Sequence, residues 1–349
     1  MAGVIAVLGS GAIGSVLGGR MAAAGSPVWL VDGWPEHVQA MREHGLLIEG
    51  VNGELRTAVQ ALAFDELRQL PGPIDVGFLA VKSYDTAWVV ERLRPLLAPG
   101  GVIVSVQNGL NEDTIAQMIG AERTIGAVTR LSAVLVGPGL VRETRGPVPF
   151  GLGELDGRIT DRLHRIAALM APAAPCELTD NIWGKLWSKL MLNCIMNPTC
   201  GVSGLTCGQV WEHPIGQRIL FRVCQEGVEV GRALGVRFEP AGGMDMELLA
   251  TRDAALLPRA REHATAYARA SQQVRPSMLQ DLQKGRRTEI DYLNGYVVAK
   301  AREMGRELPA NAALVGMVKE IEAGRRPIAE GNLANLARHV EPALAADAR

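Results

Sequence analysis

The sequence has no excess of charge of either sign. Its 36 Lys and Arg residues are balanced by 37 Asp and Glu residues, which gives a formal net charge of −1 at neutral pH. A nucleic-acid-binding protein is expected to carry a basic face or a basic net charge. The balance therefore argues against nucleic acid and predicts a small neutral or anionic molecule as the partner.

Cysteine and histidine are few and scattered. The five cysteines are odd in number, and no two of them form a C-x-x-C pair. No two of the six histidines stand at H-x-x-x-H spacing. These patterns predict reduced thiols in a cytoplasmic protein and no metal site.

Charged side chains are absent from the first 19 residues, so a signal peptide or membrane span has to be considered. A signal peptide needs basic residues before its apolar core, whereas the first basic residue here is Arg20, after the run. Six glycines also interrupt the run. We therefore expect a turn and a helix packed on a sheet, and no membrane association.

The length of 349 residues exceeds the roughly 250–300 residues at which one hydrophobic core stops growing, so the sequence predicts two domains. In the first part, short apolar runs alternate with helical stretches, which is typical of a doubly wound parallel sheet. The predicted strands are Val4–Leu8, Val28–Asp32, Val76–Val81 and Val102–Val106, with more within 124–136 and 150–153. The predicted class is α/β, with a Rossmann domain over residues 1–178.

Helical periodicity dominates the rest of the sequence. It predicts an all-helical C-terminal domain over residues 179–349, with a weakly specified tail after about residue 330. The segment Pro172–Pro175 is the predicted linker, because two prolines three apart disfavour a helix across them. The candidate helices are residues 181–196, 209–234, 244–269, 278–284, 289–303 and 310–323.

A glycine-rich turn joins the first predicted strand to the first predicted helix. The spacing Gly9-x-Gly11-x-x-Gly14, in a strand–helix–strand context, predicts a dinucleotide site. Gly9 permits the tight turn, Gly11 lets the backbone approach a pyrophosphate, and Gly14 allows close packing of helix on strand. The predicted cofactor-binding residues of this turn are Gly9, Ser10, Gly11, Ala12, Ile13 and Gly14.

Three polar side chains follow predicted strands at the carboxyl edge of the sheet, where ligands bind. Asp32 ends the second strand, where a carboxylate accepts hydrogen bonds from the adenine ribose and repels a 2′-phosphate. The cofactor is thus NAD or NADP, and Asp32 favours NAD, since Arg42 lies too far along the next helix to compensate. A solvated turn is the alternative interpretation of Asp32. Lys82 and Asn108 follow two further strands.

Polar residues recur every fourth position on a predicted helix that is otherwise apolar. Lys185, Lys189, Asn193 and Asn197 share one face of this helix. The row faces either water or a polar cavity. Pro198 is predicted to end the helix directly after Asn197.

A second polar cluster lies further along the sequence. Ser277 with Gln280, and Thr288 with Asp291, have the spacing of a capping box, which would explain both hydroxyl residues structurally. Capping does not explain Glu289, which is predicted to lie in a first helical turn among apolar neighbours.

In combination these motifs resemble the ketopantoate reductase family. The matching segments are Gly9–Gly14, Val81-Lys82, Gln107–Gly109, Trp187–Pro198, Ser277–Asp281 and Thr288–Gly295. The resemblance implies reduction of ketopantoate, or a related 2-oxo acid, to the hydroxy acid with a nicotinamide cofactor.

The resemblance also implies roles for individual residues. Lys189 matches the catalytic general acid, and Glu289 matches the acidic residue that assists it. Protonation of an alkoxide by a positioned ammonium is the chemistry that such a reduction requires. The matching substrate-binding positions are Lys82, Asn193, Asn197 and Ser277, and Lys82 and Asn108 also match positions beside the cofactor.

Two departures from the family pattern keep alternatives open. Members specific for NADPH commonly carry an arginine where this chain has Asp32-Gly33-Trp34, and the segment 240–276 is long. One alternative is an NAD-dependent D-2-hydroxy acid dehydrogenase of the same fold. Others are a non-catalytic nicotinamide-binding sensor and a glycerol-phosphate type of dehydrogenase, for which Arg286-Arg287 would bind phosphate. We expect a homodimer.

Overall fold

The computed structural model describes residues 3–346, and packing divides the chain into two compact units between Trp183 and Gly184. Every strand of the described chain lies in the first unit, and the second is built from helices. The predicted α/β class with a helical C-terminal part is confirmed. The sequence predicted the boundary after residue 178.

Over its described residues, the first unit contains twelve strands and five complete α-helices. The strands are β1 (Val4–Leu8), β2 (Val28–Asp32), β3 (Leu46–Gly50), β4 (Leu55–Thr57), β5 (Gln60–Ala63), β6 (Ile74–Leu79), β7 (Leu97–Ser105), β8 (Thr124–Val128), β9 (Ala133–Gly137), β10 (Leu140–Glu143), β11 (Phe150–Glu154) and β12 (Cys176–Leu178). The helices are α1 (Ala12–Ala23), α2 (Pro35–His44), α3 (Thr86–Leu93), α4 (Glu112–Ile119) and α5 (Asp161–Met170).

The first of the remaining helices begins at the unit boundary, and the others follow it. They are α6 (Ile182–Ser203), α7 (Cys207–Glu212), α8 (Pro214–Ala233), α9 (Met246–Leu249), α10 (Leu257–Ala270), α11 (Ser277–Gln283), α12 (Asn294–Glu303), α13 (Pro309–Glu322) and α14 (Asn332–Ala346). None of the helices in this described part of the chain has the length and apolar character needed to cross a membrane.

An eight-stranded sheet forms the centre of the first unit, in the order β12-β11-β8-β7-β6-β1-β2-β5. Its strands from β8 to β5 run parallel, and β11 is antiparallel to β8. Successive residues of β1, Val7 and Leu8, belong to different hydrophobic clusters, so the sheet is covered on both faces. This explains why its central strands are continuous apolar runs in the sequence.

A second sheet, in the order β4-β3-β10-β9, was not predicted. Its residue Glu143 is 3% exposed and accepts hydrogen bonds from Arg20 of α1, Nε at 3.2 Å and Nη2 at 2.5 Å. This two-pronged ion pair fastens the helix that follows the glycine turn to the small sheet.

Strand β7 is irregular over Pro99 to Gly101, because pairing with β6 jumps from Ile74–Leu97 to Val76–Val102 and lets the intervening residues bulge. One predicted connection is wrong. The predicted linker Pro172–Pro175 leads into β12, which pairs with β11, so it lies inside the first unit.

Several predicted helices of the second unit differ from the observed ones. The stretch 209–234 is divided at Pro214, which begins α8, where His213 Nδ1 accepts from the amide groups of the first turn. The stretch 244–269 is divided into α9 and α10, and α14 forms where the sequence is weakly specified. Helix α6 does not end at Asn197 but continues through Pro198 to Ser203.

All five cysteines are free, and four of them are buried. This agrees with the prediction of reduced thiols that serve as small core side chains.

Candidate functional site

Steric constraints account for two glycines of the turn between β1 and α1. Gly9 has a φ of +92°, and a Cβ on it would lie 2.7 Å from the Val81 nitrogen. A Cβ on Gly14 would lie 2.0 Å from the Gly9 carbonyl oxygen, which explains the close helix packing. A Cβ on Gly11 would meet nothing within 4 Å. The protein itself does not require glycine at position 11, and the open space beside it fits a pyrophosphate that approaches the backbone.

A histidine that the sequence did not single out supports this turn. His37 Nε2 lies 2.8 Å from the Ser10 carbonyl oxygen, and its Nδ1 accepts from the Gly139 amide group at 2.9 Å. Ser15 Oγ donates to the same Ser10 carbonyl at 2.6 Å. Burial lowers the pKa of His37, so the ring is neutral and Nε2 is the donor. No spacing in the sequence relates His37 to the turn.

Three candidate residues lie where strands end. Asp32 is the last residue of β2, and Lys82 and Asn108 follow β6 and β7. The carboxyl ends of these strands meet at one edge of the sheet. Asp32 Oδ1 accepts from the Trp34 amide group at 2.9 Å, so the turn uses one carboxylate oxygen. Arg42 Nε donates to the Ala61 carbonyl at 2.9 Å, and its guanidinium pairs with Glu66. Arg42 is thus engaged with the Ala61 carbonyl and Glu66.

Hydrogen bonds join the loops that follow β6 and β7. Ser83 Oγ and Asn111 Nδ2 both donate to the Asn108 carbonyl, at 3.0 and 2.8 Å. Gln107 Nε2 donates to the Val81 carbonyl at 2.8 Å. The backbone on either side of the two predicted cofactor contacts is therefore fixed by buried side chains, and no motif in the sequence singled out Ser83 or Asn111.

A buried carboxyl group begins helix α4 close to Asn108. Glu112 is 1% exposed and accepts from the Asn111 amide group at 3.0 Å. Burial raises the pKa of this carboxyl to about 7. Near neutral pH the group is therefore balanced between its acid and its charged form.

The row of polar residues on α6, Lys185 to Asn197, is buried at the two asparagines that are candidate substrate contacts. Asn193 and Asn197 are each 8% exposed, which excludes a row that faces water, and Lys189 is half-buried. Among the described atoms, Asn193 Nδ2 has no hydrogen-bond partner. Lys185 Nζ pairs with Glu239 at 3.2 Å.

Ser277 is not a capping residue, contrary to prediction. It is the first residue of α11, Pro276 occupies the cap position, and no side chain caps the helix. The Ser277 side chain is exposed. A Cβ on Gly201 of α6 would lie 3.1 Å from Leu282 Cδ1, so α11 packs closely on α6.

The predicted capping box around Glu289 is also absent, and the helix predicted over 289–303 is interrupted. Glu289 precedes a short 3-10 turn and is 7% exposed. The Thr288 amide and hydroxyl groups instead donate to Glu322 Oε1, both at 2.7 Å. Asp291 pairs with Lys319. Helix α13 therefore holds Thr288 and Asp291, which lie on either side of Glu289 in the sequence.

No group of three or more possible metal ligands occurs in the part of the chain that the structure describes. The candidate residues are instead lysines, primary amides, two carboxylates, a serine hydroxyl and glycine backbone, which suit an organic anion and a dinucleotide.

Two family profiles match the chain, "Ketopantoate reductase PanE/ApbA" over residues 5–157 and "Ketopantoate reductase PanE/ApbA C terminal" over residues 181–322. The 2-dehydropantoate 2-reductase of Pyrococcus horikoshii is 31% identical, over 91% of this chain and 97% of its own. The chain belongs to the ketopantoate reductase family. The predicted resemblance is confirmed. Like its family, the protein is an oxidoreductase that acts on a CH–OH group with a nicotinamide cofactor.

Further relatives agree with this assignment. The 2-dehydropantoate 2-reductase of Archaeoglobus fulgidus is 28% identical over 92% of this chain and 98% of its own. A PanE/ApbA family ketopantoate reductase from Ralstonia eutropha has a TM-score of 0.78 at 30% identity, and covers 92% of this chain and 99% of its own. A D-mandelate dehydrogenase solved with NADH and anilino(oxo)acetate has a TM-score of 0.79 at 24% identity, over 92% and 99% of the two chains. It shares the fold.

The glycine turn gives a paired prediction for this ketopantoate reductase family member. Gly11→Ala should change the free energy of unfolding by less than about 1 kcal/mol, yet weaken nicotinamide cofactor binding, because its methyl group would occupy the open space. Gly14→Ala should destabilise the fold by about 2 kcal/mol or more through the clash with the Gly9 carbonyl. Urea unfolding and cofactor fluorescence titration measure the two effects. Full cofactor affinity in Gly11→Ala would contradict this assignment.

The buried carboxyl of Glu112 predicts a pH dependence of stability. Its pKa is about 7 in the fold and near 4.5 when unfolded, so the fold favours the acid form. The free energy of unfolding should decline as pH rises from about 4.5 to about 7, by roughly 3 kcal/mol. Glu112→Gln, which resembles the acid form, should remove this decline. Urea unfolding across pH would contradict the assignment if wild type and variant kept parallel profiles.

Proposed function

We propose that this protein reduces ketopantoate to pantoate with NADH as the preferred cofactor. The observation that carries the proposal is the buried row on α6, in which Lys189 precedes two buried amides, Asn193 and Asn197. Relatives named 2-dehydropantoate 2-reductase match this chain over most of their length, which supports the choice of substrate.

The amides of the row are suited to the oxygens of a 2-oxo acid. A buried donor without a partner costs about 1–3 kcal/mol, and the Asn193 nitrogen is such a donor among the described atoms. A carboxylate or carbonyl oxygen of the substrate would accept its hydrogen bond and remove the cost. Asn197, one turn further along the same face, would hold a second oxygen.

Lys189 is the proposed general acid. A bound nicotinamide supplies the hydride, and the carbonyl oxygen of the substrate then carries negative charge. An ammonium group within hydrogen-bond reach stabilises that charge and donates the proton. Glu289, a buried carboxylate whose neighbours are held by α13, would orient the ammonium or bind a substrate hydroxyl. Ser277 and Lys82 are proposed to make further substrate contacts.

The proposed cofactor contacts lie in the first unit. The glycine turn, residues 9–14, would hold the pyrophosphate at the N-terminus of α1, and Lys82 and Asn108 would contact the cofactor near its reactive end. One carboxylate oxygen of Asp32 already accepts from the Trp34 amide group within the turn. The other oxygen would accept hydrogen bonds from the ribose hydroxyls, and the charge of the carboxylate disfavours a 2′-phosphate.

Of the alternatives, a D-2-hydroxy acid dehydrogenase of the same fold is the main rival, since the D-mandelate dehydrogenase shares this architecture. A non-catalytic sensor would not need Lys189 and Glu289 together with Ser277. A glycerol-phosphate type of enzyme would need a phosphate site, and Arg286 and Arg287 are both exposed. A cytoplasmic location and a homodimer stay predictions.

Initial rates of cofactor oxidation with ketopantoate test the proposal. NADH should be oxidised faster than NADPH by purified protein. Asp32→Asn keeps the acceptor for the Trp34 amide but removes the charge, so it should raise kcat/KM for NADPH by about tenfold, which corresponds to ~1.4 kcal/mol. Preference of the wild type for NADPH would overturn the role given to Asp32. Turnover only with other 2-oxo acids would favour the rival dehydrogenase.

The general acid is tested by Lys189→Ala. Turnover should fall by about 10²- to 10⁴-fold, the usual contribution of a positioned acid, while cofactor affinity stays nearly constant. Lys185→Ala is the matched control, because Lys185 lies one turn earlier on the same face and pairs with Glu239. Steady-state kinetics and cofactor titration separate the two effects. Unchanged turnover in Lys189→Ala would remove this lysine from the mechanism.

A further inference from the structure

Helix α6 contains a proline in its interior, and this leaves one backbone carbonyl without its usual donor. Pro198 has no N–H group, so it cannot donate to the carbonyl of Cys194, four residues earlier. Cys194 is completely buried, so water does not replace the missing donor. The gap lies in the turn that runs from Asn193 to Asn197.

A side chain distant in sequence fills this gap. Asn294 Nδ2 donates to the Cys194 carbonyl at 3.0 Å and to Asn311 Oδ1 at 2.9 Å. Asn294 is completely buried. Both acceptors face its nitrogen, which fixes the orientation of the amide, and its Oδ1 has no partner among the described atoms. The two hydrogen bonds that the Asn294 nitrogen donates therefore hold the amide in place.

The donor is itself rigidly supported. Asn311 Nδ2 donates to Glu226 Oε2 at 2.8 Å and to the Val223 carbonyl at 3.2 Å. The Glu226 carboxylate, 2% exposed, also accepts from the Ala310 and Asn311 amide groups at 3.1 and 3.0 Å. The N-terminus of α13 and helix α8 thus fix Asn311, and Asn311 fixes Asn294.

Asn294 also begins α12, shortly after Glu289. One buried amide therefore links the helical turn that carries Asn193 and Asn197 to the segment that carries Glu289. We propose that Asn294 is a positioning residue for the reduction, which sets the α6 turn by replacing the N–H group that Pro198 lacks. This inference rests on the proposed function of the α6 row.

A double-mutant cycle tests the inference on the full-length protein. Asn294→Ala should raise KM for ketopantoate and lower kcat/KM by about tenfold or more, with NADH affinity unchanged. Pro198→Ala restores a backbone donor to the Cys194 carbonyl. In that background the loss of kcat/KM on removing Asn294 should shrink to less than about threefold.

The matched control is Asn332→Ala. Asn332 is 5% exposed, and its Nδ2 donates at 2.8 Å to the Val202 carbonyl near the end of the same helix. This variant should lose thermal stability while its KM for ketopantoate stays near that of the wild type. A similar rise of KM in Asn332→Ala would overturn the positioning role, because any loosening of α6 would then suffice.

Thermal and urea unfolding of the four proteins of the cycle give a readout without substrate. Asn294→Ala should lower Tm more in the Pro198 background than in the Pro198→Ala background. Equal losses of Tm in the two backgrounds would overturn the inference even if the protein turns over ketopantoate. Insolubility of both Asn294→Ala and the double variant would also overturn it. Absence of ketopantoate turnover by wild type would instead refute the proposed function, with the unfolding cycle still deciding whether Asn294 replaces the missing donor.

Discussion

Helix α6 is buried along almost its entire length, and this burial constrains each polar group that the helix carries. Its hydroxyl groups find partners nearby. Thr199 donates to the Ile195 carbonyl and Ser203 to the Thr199 carbonyl, while Ser188 accepts from the Glu239 amide group. Against this background the Asn193 nitrogen is the exception, because it has no partner among the atoms that the structure describes, whereas buried polar groups in native proteins are almost always paired. The proposed substrate oxygen supplies the partner that the helix itself does not.

In the first unit, the constraint is that loops which present backbone groups have to be rigid. The glycine turn would present its backbone to a ligand, so neighbouring side chains have to fix the orientation of its peptide groups. Neutral His37 and the Ser15 hydroxyl fix the Ser10 carbonyl, and Asn111 and Ser83 fix the Asn108 carbonyl. In both places a buried side chain orients a peptide group, which is the form of preorganisation that a phosphate or carboxamide ligand needs.

The fold and the site differ in how far local sequence determines them. β1 and β2 were predicted residue for residue, because parallel strands buried on both faces are continuous apolar runs. The small second sheet was missed, since strands such as Leu55–Thr57 are short and half-exposed. The end of α6 was predicted wrongly because the rule for proline is local, whereas the donor that overrides it, Asn294, comes from a helix far along the chain.

For the site, motif spacing identified residue types but not their environment. The sequence left open whether the α6 row faces water, and only burial of Asn193 and Asn197 decides this. Capping was a complete local explanation of Ser277 and Thr288, yet neither is the cap residue of its helix, because Pro276 occupies one cap position and Glu289 the other.

The long segment 240–276 was one reason to keep other substrates open. In the structure, this segment contributes a helix that packs within the second unit. Its helix α10 buries Ala260, Ala264 and Ala268, and packs on α7 where a Cβ on Gly208 would lie 2.8 Å from the Ala268 carbonyl. The segment is therefore packed against α7. The α6 row is proposed to contact groups that every 2-oxo acid shares, so discrimination between substrates would depend on the group that differs. Ketopantoate carries a hydroxyl, and a site built to bind a hydroxyl rejects analogues without it far more strongly than an apolar pocket rejects a missing methylene. Buried Glu289 is a side chain that could make this distinction.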